Sequence, residues 1–146
     1  MEDILVVDDD RAIRMLIRRI LEREGLVAQC VSSGEEALEK IRQRSFSLMI
    51  TDYHMPGMDG LELSRKGLEM APQMPIIMNT GDPSPRVTLL ARKIGISKVM
   101  GKPYLAKEMM ESVRDVMGKP RACRSSVSQA ILGAAGRKAR LGALPR

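Results

Sequence analysis

The chain has 146 residues, of which 44% are hydrophobic, and a formal net charge of +6. That length and apolar content suffice for one globular domain with a proper core. No apolar run approaches the roughly 18–20 residues that span a bilayer, and two acids among the first three residues are the wrong charge for a secretory signal peptide. Cys30 and Cys123 lack metal-ligand spacing, so we expect reduced thiols in a cytoplasmic protein with no membrane insertion.

The net positive charge belongs to the C-terminal segment. Residues 119–146 contain seven basic residues and no acid, which leaves 17 Lys and Arg against 18 acids in residues 1–118. The same segment contains three glycines and no aromatic residue. We therefore expect a near-neutral domain over residues 1–118, followed by a basic, weakly ordered tail over residues 119–146.

Short apolar runs alternate with longer segments of helical period along the first 118 residues, which is typical of a parallel α/β sheet. The predicted strands are Ile4–Val7, Leu26–Val31, Phe46–Thr51, Pro75–Thr80 and Ile96–Gly101. The predicted helices are Ala12–Glu24, Glu35–Arg44, Leu61–Ala71, Arg86–Ile94 and Leu105–Met117. The pattern predicts a (βα)5 fold with a doubly wound, five-stranded parallel sheet in the flavodoxin-like order 2-1-3-4-5.

Polar side chains follow the apolar runs where the predicted strands end: Asp8, Asp9, Asp52, Thr80 and Lys102. Ligands of such sheets bind outside the carboxyl ends of the strands, so we expect these residues to share one cleft. Carboxylates are the oxygen ligands that Mg²⁺ prefers, and a lysine and a hydroxyl suit phosphoryl oxygens.

Asp10 completes the acidic run that begins at Asp8. We interpret it as the N-cap of the helix beginning at Arg11 rather than as a member of the cleft, because aspartate is a favoured N-cap residue.

Four stretches of the chain, ILVVDDD, LMITDYHMPGMDG, PIIMNTG and VMGKPY, stand in this order at the predicted strand ends. With them, residues 2–118 resemble the receiver domain of two-component response regulators, of the CheY-like single-domain type. The second stretch is the most specific, since Asp52, Met55-Pro56 and Asp59-Gly60 all match the family pattern.

The resemblance implies roles for particular residues. Asp52 is expected to accept a phosphoryl group from the phosphohistidine of a sensor histidine kinase or from a phosphotransfer protein. Mg²⁺ would be held by Asp8, Asp9, Asp52 and the backbone carbonyl of His54. Lys102 would pair with the phosphoryl oxygens, and Thr80 would donate a hydrogen bond to one of them. The Lys102–Pro103 peptide is one that the family often holds in cis.

The resemblance also implies a stand-alone signalling protein, not an enzyme beyond catalysing its own phosphorylation and dephosphorylation. Phosphorylation would alter the contacts of the face formed by helix 4, strand 5 and helix 5 with an unknown downstream protein, the chain being a monomer or a phosphorylation-dependent dimer. Two departures stand out. Val99 occupies the position where the family usually has Tyr or Phe. The usual account of switching, an inward rotation of that ring coupled to the threonine, is therefore not expected to apply here. Tyr104 replaces a usual Phe.

Two alternatives stay open at this stage. A haloacid-dehalogenase-like phosphatase would use Asp8 as nucleophile and Asp10 as general acid, but it leaves Asp52 without a role. A receiver whose basic tail binds nucleic acid would fit the seven positive charges. Against the second, the tail has no helix-turn-helix pattern and no aromatic residue to stack on bases, so nucleic acid is not expected as a partner.

Overall fold

The computed structural model describes residues 3–118, in which five strands alternate with five helices. The strands are β1 (Asp3–Val7), β2 (Ala28–Val31), β3 (Phe46–Asp52), β4 (Ile76–Thr80) and β5 (Lys98–Gly101). The helices are α1 (Arg11–Arg23), α2 (Gly34–Gln43), α3 (Gly60–Met70), α4 (Pro85–Ile94) and α5 (Ala106–Met117). All ten predicted elements are confirmed, and none of their ends differs from the prediction by more than two residues.

The five strands form one parallel sheet in the order β2-β1-β3-β4-β5, as the sequence predicts. In this order β1 and β3 are neighbours although the whole of β2 lies between them in the chain. The register pairs Val7 with Thr51, and Asp52 with Asn79. The carboxyl ends of β1, β3 and β4 are therefore adjacent at one edge of the sheet.

The sheet separates two apolar cores, because successive side chains of a strand point to opposite faces. Leu5 and Val7 pack with residues of α2, α3 and α4 in the first core, and Ile4 and Val6 pack with residues of α1 and α5 in the second. Burial on both faces explains why the strands have nearly continuous apolar sequences.

Polar side chains cap the starts of the helices. The Asp10 carboxylate accepts a hydrogen bond of 2.9 Å from the Ala12 amide, which confirms its predicted role as the N-cap of α1. Ser33, Asp59 and Ser84 cap α2, α3 and α4 in the same way. At the other end of α4, Gly95 has a φ of 110°, a left-handed conformation that favours glycine.

The predicted tail at residues 119–146, with Cys123, lies outside the described residues. Among residues 3–118, no helix is both long enough and apolar enough to cross a membrane.

Candidate phosphoryl-transfer site

Three carboxylates meet at the edge of the sheet where β1 and β3 end. Asp8 and Asp9 directly follow β1, and Asp52 is the last residue of β3. One carboxylate oxygen from each lies within 4.8 Å of the others. Asp8 and Asp52 are 1% and 6% exposed, whereas Asp9 is open to solvent. The convergence predicted for these acids is thus found, with one of the three facing solvent.

The environment of Asp8 is unfavourable for a negative charge. Burial, with smaller contributions from the charges of Asp52 and Asp9, raises the pKa of its carboxyl from the ordinary 3.8 to about 6. The Asp10 amide, which donates to Asp8 Oδ1 over 2.9 Å, and the Lys102 ammonium both act in the opposite direction. Asp8 Oδ2 is buried and has no hydrogen-bond partner among the described residues. An oxygen-only cluster with two buried carboxylates, one of which has an oxygen without a partner, fits a hard divalent cation such as Mg²⁺.

Lys102 brings the compensating positive charge to Asp52. Its Nζ atom lies 2.6 Å from Asp52 Oδ1, and its side chain is 32% exposed while that of Asp52 is 8% exposed. The backbone amide of Lys102 donates to the carbonyl oxygen of Thr80 over 2.8 Å, and the Lys102–Pro103 peptide is cis. The short loop after β5 is thus tied to the end of β4 and directs the ammonium at the acidic cluster.

Thr80 and His54 lie at the same edge of the sheet. Thr80 ends β4 and is fully buried, and its hydroxyl oxygen accepts a hydrogen bond of 3.0 Å from the Asp82 amide. That oxygen thereby fixes the start of the β4–α4 loop, while its proton remains available to another acceptor. His54 is exposed two residues after Asp52, and its ring lies 4.4 Å from that of Tyr53.

The loop after Asp52 requires glycine at position 60. A β-carbon there would lie 2.4 Å from the carbonyl oxygen of Asp52, which is far inside contact distance. The Gly60 amide instead donates to the Tyr53 carbonyl over 2.8 Å and closes the loop against the end of β3. The Asp59-Gly60 pair therefore starts α3 and also holds the backbone that carries Asp52.

Two residues of this region were missed as site candidates. Asn79 is fully buried beside Asp52, and its Nδ2 atom donates a long hydrogen bond of 3.4 Å to Tyr104 Oη. Asn79 interrupts an otherwise apolar strand, and this was the available signal in the sequence. Tyr104, taken only as a replacement for phenylalanine, could not be connected with Asn79 because 25 residues separate them in the chain.

Comparison with known proteins identifies relatives of this domain. The family model for the response regulator receiver domain matches residues 4–114. The response regulator receiver protein CpdR of Brucella abortus (strain 2308) is 29% identical over 117 residues, which cover 80% of this chain and 98% of CpdR. The sensory/regulatory protein RpfC of Xanthomonas campestris pv. campestris (strain 8004) is also 29% identical, over 77% of this chain. That match spans only 16% of the length of RpfC.

Solved structures share the fold. A CheY-like response regulator receiver domain protein from Methanospirillum hungatei JF-1 superimposes with a TM-score of 0.77 and 31% identity, covering 81% of this chain and 94% of that chain. The response regulator TrrA of Thermotoga maritima, solved in complex with Mg²⁺ and BeF, gives a TM-score of 0.72 and 32% identity over 80% of this chain and 99% of that chain. With the sheet order and the acidic cluster, these likenesses place this chain in the family of two-component response regulator receiver domains.

Proposed function

We propose that Asp52 accepts a phosphoryl group and so switches this receiver domain between two signalling states. A carboxylate oxygen of Asp52 attacks the phosphorus of a phosphohistidine, the P–N bond breaks, and an acyl phosphate forms while the imidazole nitrogen keeps the electron pair and takes up a proton. The contact of 2.6 Å between Lys102 and Asp52, set within a cluster of three carboxylates, carries the proposal. Catalysis in such sites consists of positioning and charge neutralisation.

The residues that would hold Mg²⁺ are Asp8, Asp9, Asp52 and the backbone carbonyl of His54. The partnerless oxygen of Asp8 and the close approach of the three carboxylates support this assignment. When bound, the cation neutralises negative charge on the carboxylates and on the entering phosphoryl group. The protein itself contributes the fixed carboxylate positions, which β1 and β3 impose.

Lys102 and Thr80 would act on the transferred group. Phosphorylation gives Asp52 additional oxygens, and the Lys102 ammonium is already placed to pair with one of them. The Thr80 hydroxyl proton would serve another, because its oxygen is already occupied by the Asp82 amide. Thr80 ends β4 and Lys102 follows β5. Phosphorylation of Asp52 would therefore change the contacts of Thr80, whose hydroxyl holds the loop that leads into α4.

The partners of this domain follow from that chemistry. A sensor histidine kinase or a phosphotransfer protein would supply the phosphoryl group, and an unidentified protein would read the surface formed by α4, β5 and α5. The chemistry is confined to the protein's own phosphorylation and dephosphorylation, in the cytoplasm. Val99 is half-buried against the first core, which includes residues of α4. Because this residue is valine, no aromatic ring can move there in response to a change at Thr80.

The phosphatase alternative is disfavoured by geometry. Asp10, its general acid, accepts from the Ala12 amide as the cap of α1. Among residues 3–118, the one ion pair at this edge of the sheet joins Lys102 to Asp52, and not to Asp8, which the phosphatase would use as its nucleophile. The nucleic-acid alternative concerns residues 119–146, where nucleic acid is not expected as a partner, and it is tested by comparing salt-dependent DNA retention of the full chain with a version ending at residue 119.

Intact-mass analysis after incubation with Mg²⁺ and acetyl phosphate tests the proposal. The wild type should gain one phosphoryl group, and Asp52→Asn should gain none. Asp10→Asn is the matched control, because asparagine caps helices as well as aspartate does, and it should label like the wild type. Labelling that survives in Asp52→Asn but is lost in Asp8→Asn or Asp10→Asn would favour the phosphatase and reject the receiver mechanism.

A further inference from the structure

A row of polar residues crosses the sheet and includes two members of the carboxylate cluster. Asp8 follows β1, Asp52 ends β3 and Asn79 is the second-last residue of β4, and the three lie at matching levels of the register of these adjacent strands. Each stands two residues beyond a strand residue of the second core, so the alternation of side chains places all three on the face covered by α1 and α5. Asp52 is thus flanked by a carboxylate on one side and by an amide on the other.

The amide is costly to bury at this position. Asn79 is fully buried, and its Oδ1 atom has no hydrogen-bond partner among the described residues. A leucine of similar size would avoid that loss of hydration, since an unsatisfied buried polar group destabilises a fold. Most buried polar groups in proteins are satisfied, so one beside the proposed phosphoacceptor requires a specific explanation.

The Tyr104 hydroxyl links the amide to the acids. Tyr104 packs against the second core, on the same face of the sheet as the row. Burial, together with the charges of Asp8 and Asp52, raises the pKa of its hydroxyl to about 12, so the group stays protonated and lies within the field of both carboxylates. Because its oxygen already accepts from Asn79 Nδ2, its proton is free for a different acceptor.

We infer that Asn79 and Tyr104 are positioning residues of the Asp52 site. The Asn79 amide holds the Tyr104 oxygen, and the hydroxyl proton faces the negative charge of Asp8 and Asp52. This dipole reduces the repulsion between the two buried carboxylates, and so holds Asp52 in the position from which it attacks phosphorus. The inference rests on the proposed function and assigns it two residues that apolar side chains could replace without loss of packing.

The test compares Asn79→Leu, Tyr104→Phe and the double variant with the wild type. Three quantities are measured: the rate of phosphoryl addition from acetyl phosphate, the dissociation constant for Mg²⁺ by calorimetry, and the urea concentration at the midpoint of unfolding in the presence of a chelator. Tyr53→Phe is the matched control, because it removes the same hydroxyl from a tyrosine that packs against the first core, on the opposite face of the sheet.

We expect each single variant to label about three- to tenfold more slowly, the range for losing one hydrogen bond between neutral groups. The double variant should label no more slowly than the slower single variant, because both changes break one connection. Its unfolding midpoint in chelator should equal or exceed that of the wild type. Tyr53→Phe should label within twofold of the wild type.

Two results would overturn the inference. One is labelling and Mg²⁺ binding within twofold of the wild type in both single variants. The other is a double variant that unfolds at a lower urea concentration than the wild type and whose labelling is slowed in proportion to that loss of stability. That result would indicate a structural role alone. If the wild type does not label, the proposed function fails separately. In that case the dissociation constants for Mg²⁺ test the positioning role of Asn79 and Tyr104. Threefold weaker binding in both single variants supports that role, and unchanged binding rejects it.

Discussion

Asp8→Asn should make the metal-free protein more stable at neutral pH. Asp8 is 1% exposed, and its pKa is raised from 3.8 to about 6, chiefly by burial. At about 1.4 kcal/mol per unit of pKa, keeping this carboxylate ionised in the folded protein costs about 2–3 kcal/mol. Asparagine has the same shape, can still accept from the Asp10 amide, and carries no charge.

The pH dependence of this gain has a definite sign. Between about pH 4 and pH 6 the folded wild type binds more protons at Asp8 than the unfolded chain does, so its stability from this group falls as the pH rises. The advantage of Asp8→Asn should therefore be near zero at pH 3.5, grow through this window, and reach its full value above about pH 7. Mg²⁺ should offset it, because a ligand held at 100 times its dissociation constant stabilises the wild type by about 2.7 kcal/mol.

Urea unfolding followed by circular dichroism, in chelator at pH 4.5, 6 and 8, measures these differences. Asp115→Asn is a suitable control, since it removes an exposed acid from α5 and should change stability by less than about 0.5 kcal/mol. A variant that is less stable than the wild type at pH 8, or a gain that does not vary with pH, would refute the assignment of the cost to burial of an ionised Asp8.

Three further substitutions test the loop, the ion pair and the helix cap. Gly60→Ala should destabilise the fold by about 2–3 kcal/mol in urea unfolding, because the new β-carbon would meet the Asp52 carbonyl oxygen. The control is Gly81→Ala, where no atom lies within 4 Å of the new β-carbon and stability should change by less than about 0.5 kcal/mol. Equal effects of the two substitutions would contradict the contact argument. Lys102→Ala should slow labelling by acetyl phosphate at least about tenfold, since a charged hydrogen bond is lost, and an unchanged rate would remove Lys102 from the site. Asp10→Ala should lower the free energy of unfolding by about 1 kcal/mol, because α1 loses its N-cap. Asp10→Asn should be as stable as the wild type. An equal loss in the asparagine variant would show that the charge of Asp10, rather than its capping hydrogen bond, stabilises the protein.

The sequence by itself determined the secondary structure and the identity of the main acidic residues. Strands covered on both faces must be apolar throughout, and helices covered on one face must be apolar at every third or fourth position, so both patterns are visible without knowledge of the fold. Asp52 stands at the end of such a run inside a specific motif. Asp10 was assigned to a helix cap from its position alone, and the structure confirms this.

The tertiary structure alone decided how these residues act on one another. The approach of the three carboxylates to within 4.8 Å and the direction of Lys102 depend on strand order and register, which join residues up to 94 positions apart. The raised pKa of Asp8 arises from burial by side chains of other elements, which no local pattern encodes. The link between Asn79 and Tyr104, which are 25 residues apart in the chain, is likewise non-local. The sequence specifies which chemical groups are present, but the free energy of burying or ionising each group depends on the neighbours that folding brings to it.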